Sequence, residues 1–245
     1  MKRDEETSNL IDEGIKLLEQ SRWDEAEAIF REILQYDKTH AEVWNELGVV
    51  LGIKRRFEES AEALRKAVEL KSDFVIAWSN LGKTLNALGL YEECAKAFKK
   101  TLELDPKDSY VMMDLALVLH RLGQLEEAEG ICLQSIELNP HHPIAWHNLG
   151  MIRAELDRLE DAEIAFRKAI EGAPGSSESW YNLANILAKQ GKHDESEVSF
   201  RKAVDLKPSN SLAWAGLAIL LERQGRIEEA KEAKDKVEEL AFGPS

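Results

Sequence analysis

Five of the six tryptophans, Trp44, Trp78, Trp146, Trp180 and Trp214, stand 34, 68, 34 and 34 residues apart, and Met112 fills the place of the missing member. A fixed period of this length is the mark of a repeat array and takes precedence over local secondary-structure signals. With the residue three before each Trp as column 1, blocks start at 7, 41, 75, 109, 143, 177 and 211 without insertion or deletion. They cover 238 of the 245 residues. Column 7 is Leu in every block but the first, where it is Glu13. Column 8 is small: Gly14, Gly48, Gly82, Ala116, Gly150, Ala184 and Ala218. Column 20 is small again, from Ala26 to Ala230, with Ser60, Cys94 and Ser196 among its members. Column 24 is bulky at Phe30, Leu64, Phe98, Phe166 and Phe200, drops to Cys132 in block 4 and ends at Lys234.

Each block carries two apolar patterns at helical spacing, columns 4, 7, 8 and 11 and then columns 20, 23, 24, 27 and 28. Column 15, with Gly89, Gly123, Gly191 and Gly225, falls between them, where a tight turn asks for positive φ. Pro106, Pro140, Pro174 and Pro208 in column 32 stop the second helix. The spacing therefore predicts seven helix-turn-helix hairpins. One hairpin cannot bury its apolar face, so stacked neighbours must supply the core. The expected architecture is all-α, an α-α solenoid forming a single domain over 1–245. Glu13 and Lys234, which put charge into core columns, mark the first and last blocks as polar caps of a complete array. Gly172 in place of the usual Leu of column 30, and Arg153 in place of the Leu of column 11, predict that block 5 packs least well and flexes.

The columns resemble the tetratricopeptide repeat signature of Trp, Leu-Gly, Ala, Phe and Pro, through AWSNLG at 77–82, AWHNLG at 145–150 and SWYNLA at 179–184. The resemblance spans nearly the whole chain. It implies a right-handed superhelix whose first helices line a concave groove, with ligand peptides lying in that groove. It also implies that columns 2, 5, 6, 9, 12 and 13 of the first helix are left open to a ligand.

Column 6 reads Asp12, Glu46, Asn80, Asp114, Asn148, Asn182 and Gly216. This series is similar to the asparagine ladder in the repeat region of O-linked N-acetylglucosamine transferases, where such residues hold an extended peptide backbone. Asn offers both a donor and an acceptor to a peptide unit. The alternative is that these amides bond only within or between repeats. Around the ladder the expected peptide-binding residues are Lys83, Met113, His147, Tyr181 and Asn185, with Asn86, Tyr110, His120 and Met151 nearby. Met and Tyr suit adaptable, amphipathic contact surfaces. Asp12, Glu19, Glu42 and Glu46 make the N-terminal end acidic, so a ligand basic toward that end is expected. The carboxylate clamp of the family's co-chaperones is absent, because no block has Lys at column 5 and no column-6 residue is Arg.

Charge and composition narrow the function further. With 32 Lys and Arg against 46 Asp and Glu, the net charge of −14 repels phosphate, which argues against nucleic acid as a partner. No apolar run reaches the roughly 20 residues of a membrane span, and the N-terminus has no signal-peptide core. Two cysteines make no disulfide framework, so a cytoplasmic setting is expected. Cys94 and Cys132 fall in core columns and read as inert thiols. His141 and His142 sit in a turn without further ligands, and no phosphate-binding glycine loop occurs. No enzyme activity, cofactor or metal is expected. The reading is a protein-interaction adaptor holding an extended peptide, either monomeric or weakly self-associating. The alternatives are a self-associating scaffold and a substrate-recruiting subunit for a separate transferase.

Overall fold

A computed structural model describes the backbone of residues 2–243 and the side chains of residues 7–243; residues 1, 244 and 245 of the expected array lie outside the described residues. Every described block is a helix pair, and no strand occurs among the described residues. The chain divides into two compact units, Met1–Gly123 and Gln124–Ser245. The first holds α1 (Lys2–Glu19), α2 (Trp23–Tyr36), α3 (Ala41–Ile53), α4 (Phe57–Leu70), α5 (Val75–Ala87), α6 (Tyr91–Leu104) and α7 (Ser109–Arg121). The second holds α8 (Leu125–Leu138), α9 (Pro143–Glu155), α10 (Leu159–Gly172), α11 (Ser177–Lys189), α12 (His193–Leu206), α13 (Ser211–Arg223) and α14 (Ile227–Phe242). Within each unit, every helix packs on the next in sequence. The first helices of successive repeats also touch, α1 on α3 and α3 on α5 in one unit, α9 on α11 and α11 on α13 in the other. First helices thus stand side by side, α1, α3 and α5 in one unit and α9, α11 and α13 in the other.

The turn column behaves uniformly. Gly89, Gly123, Gly191 and Gly225 adopt φ between 72° and 77°, and Ser21, Arg55 and Asp157 are held at 59°, 61° and 57° in the same column. The hairpin geometry imposes the left-handed conformation even where a side chain opposes it. Helix starts are secured in two ways. Asp108, His142, Ser176 and Asn210 accept hydrogen bonds from the first turns of α7, α9, α11 and α13. The second helices α2, α4, α6, α8, α10, α12 and α14 have no such side-chain cap and instead place two acids in their first turn, where the helix dipole favours negative charge.

Columns 8 and 24 interlock. A Cβ on Gly14, Gly48, Gly82 or Gly150 would overlap the side chain of Phe30, Leu64, Phe98 or Phe166, the column-24 residue of the same repeat. In repeat 6, column 8 is Ala184 and the Phe200 ring lies instead where a Cβ of Gly216 would be. Gly216 is the column-6 residue of repeat 7, so the polar ladder ends there because a ring needs the space. Ser60 and Ser196 fit the small column 20 by donating to the carbonyls of Gly48 and Ala184, at 2.6 and 2.8 Å. The tryptophans pack less deeply and each ties down a joint: the indole N–H of Trp44, Trp78, Trp146, Trp180 and Trp214 donates to the carbonyl six residues earlier, at 2.8–3.0 Å.

The poor packing expected of repeat 5 is absent. Arg153 donates to Glu129 at 2.9 Å, so the missing leucine is replaced by an ion pair. Gly172 is small because a Cβ there would press on Pro143 and the carbonyl of His141. Phe166 and the alanines beside it on α10 are fully buried.

Candidate functional site

In the first unit, α3 and α5 stand side by side and α7 packs on α6. Asn80 is half-buried and donates from Nδ2 to Asn45 Oδ1 at 3.0 Å, while Asn45 Nδ2 donates to Glu46 Oε1 at 2.9 Å. The ladder here bonds to itself, through Asn45 of column 5, a residue only 2% exposed. Burial pushes the Glu46 carboxyl above its ordinary range, and the Asn45 bond only partly offsets this. Asp114 is likewise raised by burial, with Lys83 opposing. Asn80 and exposed Lys83 line a shallow cleft of about 290 Å³, together with Val49, Ile53 and Thr84. Met113 is 7% exposed and so belongs more to the core than to an open wall. Of the expected acidic end, Glu42 is engaged by Lys71 at 2.9 Å, and Asp12 and Glu19 stand exposed on α1.

The second unit presents a larger cleft, about 530 Å³ in volume. Three first helices line it: Met151, Ala154 and Glu155 from α9, Tyr181, Asn182, Asn185, Ala188 and Lys189 from α11, and Gly216, Ile219 and Arg223 from α13. The column-24 rings of Phe166 and Phe200 form its floor. The Tyr181 ring is tilted against Phe200, centroids 6.2 Å apart. Asn182 and Asn185 are half-buried, one helical turn apart on the same face. The cleft therefore offers an apolar floor beside a short run of amide and phenol groups. Such a mixture fits a main chain with one apolar side chain.

The remaining expected residues of this unit are less open. Asn148 is 7% exposed and already has a partner. His147 lies edge-on to Phe166, centroids 5.7 Å apart, and shares a 2.9 Å hydrogen bond with Ser179. Burial holds its pKa below the ordinary histidine value, with Glu178 opposing. Thus Tyr181, Asn182 and Asn185 come together in one cleft, Asn80 and Lys83 in another, and Met113 and Asn148 serve chiefly in packing.

The nucleophile and metal candidates are accounted for structurally. Burial pushes both thiols up to about 12, and Cys94 Sγ donates to the Gly82 carbonyl at 3.1 Å. His142 caps α9 through Nδ1, which accepts from the Ala145 amide at 3.3 Å. Among the described residues, no three His, Cys, Asp or Glu side chains are grouped so as to hold a metal.

Sequence reasoning missed a set of ionic rungs on the second helices. Glu27, Glu129, Glu163 and Glu197 in column 21 accept from the column-16 base of the next repeat, Arg56, Arg158, Lys192 and Arg226, at 2.5–2.8 Å. Arg31, Arg167 and Arg201 add a bond from the same helix. Burial alone raises these carboxyls. The cationic hydrogen bonds outweigh it, holding Glu27 at about 2 and the other three below their ordinary value. A signal existed in the columns: Ala61 and Ala95 replace the acid where Leu90 and Gln124 replace the base.

Sequence models of the tetratricopeptide repeat match residues 11–73, 75–108, 108–175, 177–210 and 199–232. No curated protein sequence matches the chain. Among solved structures, YrrB, a TPR protein with an unusual peptide-binding site, is similar with a TM-score of 0.65 at 24% identity, over 75% of this chain and 95% of that one. Pseudomonas aeruginosa pilF gives a TM-score of 0.70 at 21% identity, covering 92% and 100%. A tetratricopeptide repeat protein from Parabacteroides merdae gives 0.73 at 14% identity, covering 96% and 93%. At these identities the likeness is one of fold.

Proposed function

Because the chain belongs to the tetratricopeptide repeat family, a family of protein-interaction folds, we propose that it is a non-catalytic adaptor whose second unit holds an extended peptide in the cleft of α9, α11 and α13. The observation that carries this reading is the convergence of Tyr181, Asn182 and Asn185 over the Phe166 and Phe200 floor. Asn182 and Asn185 are the groups placed to donate to and accept from a peptide main chain, and the apolar floor takes a side chain. YrrB, a protein of similar fold with a peptide-binding site, lends support by analogy. Within this proposal, the repeats of 1–245 act as one array, and the two buried free thiols suit a reducing cytoplasm. In the first unit, Asn80 and Lys83 offer a smaller second station, and exposed Asp12 and Glu19 favour a basic ligand segment near α1.

The test is equilibrium binding of a cleft peptide to the parent and to Asn182→Ala and Asn185→Ala. Each lost hydrogen bond weakens binding by about 0.5–1.5 kcal/mol with helicity unchanged. Equal affinity in all three proteins would refute main-chain capture by these amides. Self-association as the main role predicts a mass above the monomer in light scattering at high concentration.

A further inference from the structure

The cleft of the second unit also carries two cations without carboxylate partners among the described residues. Lys189 and Arg223 occupy column 13 of successive repeats, in the last turns of α11 and α13, and both line the cleft and are exposed. The chain is strongly acidic, and its arginines are almost all neutralised. Every arginine with a described side chain, except Arg55 at a left-handed turn and Arg223, is held by a carboxylate or, for Arg121, by the Tyr91 hydroxyl. Lys189 has no ion-pair partner among the described residues either. A base at a helix C-terminus is favoured by the dipole. That alone does not explain the pattern, since Arg153, the base in the last turn of α9, is drawn into an ion pair with Glu129. The one carboxylate of the cleft, Glu155, is already engaged.

From this we infer that the cleft selects an acidic peptide segment, in which an aliphatic or aromatic side chain rests on Phe166, Phe200 and Ile219 while a neighbouring Asp or Glu meets Arg223 and Lys189. The inference rests on the peptide-capture reading above. Arg223 can grip a carboxylate with two parallel N–H donors, and Lys189 adds a mobile point charge. Ile219, 52% exposed, also lines the cleft and offers an apolar group half open to solvent. The attraction is local, because at physiological ionic strength the acidic remainder of the surface is screened beyond about 8 Å.

The experiment is selection of displayed random decapeptides on the immobilised full-length protein, on Lys189→Gln/Arg223→Gln, on Lys189→Glu/Arg223→Glu and on Asn182→Ala/Asn185→Ala. Both cations are exposed and unpartnered, so the charge variants keep the fold, which their helicity will verify. On the parent, Asp and Glu next to an apolar residue are enriched roughly three- to tenfold over the input library. The Gln pair removes that surplus, and the Glu pair turns it toward Lys and Arg. A parent pool without an acidic surplus, or a surplus that survives the Gln pair, overturns the charge selection. The capture reading then still stands if the Asn pair abolishes enrichment. No pool above a Gly-Ser control on any protein overturns both.

Discussion

At the scale of single residues, the core obeys an exclusion rule between rings and methyl groups. A column-24 ring needs a glycine either in column 8 of its own repeat or, for Phe200, in column 6 of the next. The small residues of column 8 were legible as packing positions. The role of Gly216 was not, because its partner lies on another repeat and no helical period connects them. Gly82→Ala should therefore cost about 1–3 kcal/mol by overpacking, measured as a loss in chemical denaturation. Adding Phe98→Cys should return part of that loss, because it removes the ring that the new methyl group would strike. Additive losses in the double variant would disprove the coupling. The ladder teaches a similar lesson. Asn, Asp and Glu recur in column 6, yet whether a given amide faces solvent depends on neighbours the column does not reveal. Asn80 is taken up by Asn45, Asn148 is buried, and Asn182 lines a cleft.

At the scale of elements, hairpin turns and second-helix rungs set the geometry. The turn column was legible from its four glycines, and the structure extends it to Ser21, Arg55 and Asp157. An L-residue there loses about 1–2 kcal/mol, against the about 0.5–1 kcal/mol of backbone entropy that glycine adds to the unfolded chain. Arg55→Gly should raise stability slightly, by up to about 1 kcal/mol, and a drop in midpoint would contradict the account. The rungs make a pH prediction. Glu27 titrates at about 2 in the folded chain, against about 4.3 for an unperturbed carboxyl. Between those values the unfolded state binds the extra proton, so stability falls as pH falls through this window. Glu27→Gln should cost about 1–3 kcal/mol at neutral pH and progressively less toward pH 2. A penalty that stays constant with pH would show that the rungs contribute through packing alone. These rungs went unread because their partners stand 29 residues apart, beyond any single-helix pattern, although the paired loss at Ala61 with Leu90 and at Ala95 with Gln124 carries the information.

For the whole molecule, the 34-residue period determines the kind of fold and leaves the partner open. No helix among the described residues is long and apolar enough to cross a membrane. Function then depends on which inner-wall positions remain open after packing, and in the second unit these line a cleft of about 530 Å³. The account stands on that cleft. Its most direct test is backbone amide NMR of the full chain titrated with a peptide selected on it. Shifts concentrated at residues 151–155, 181–189 and 216–223, with the rungs on α10, α12 and α14 unmoved, are the predicted result. Perturbations centred on those second helices, with the amides of Asn182 and Asn185 unchanged at saturation, would contradict it.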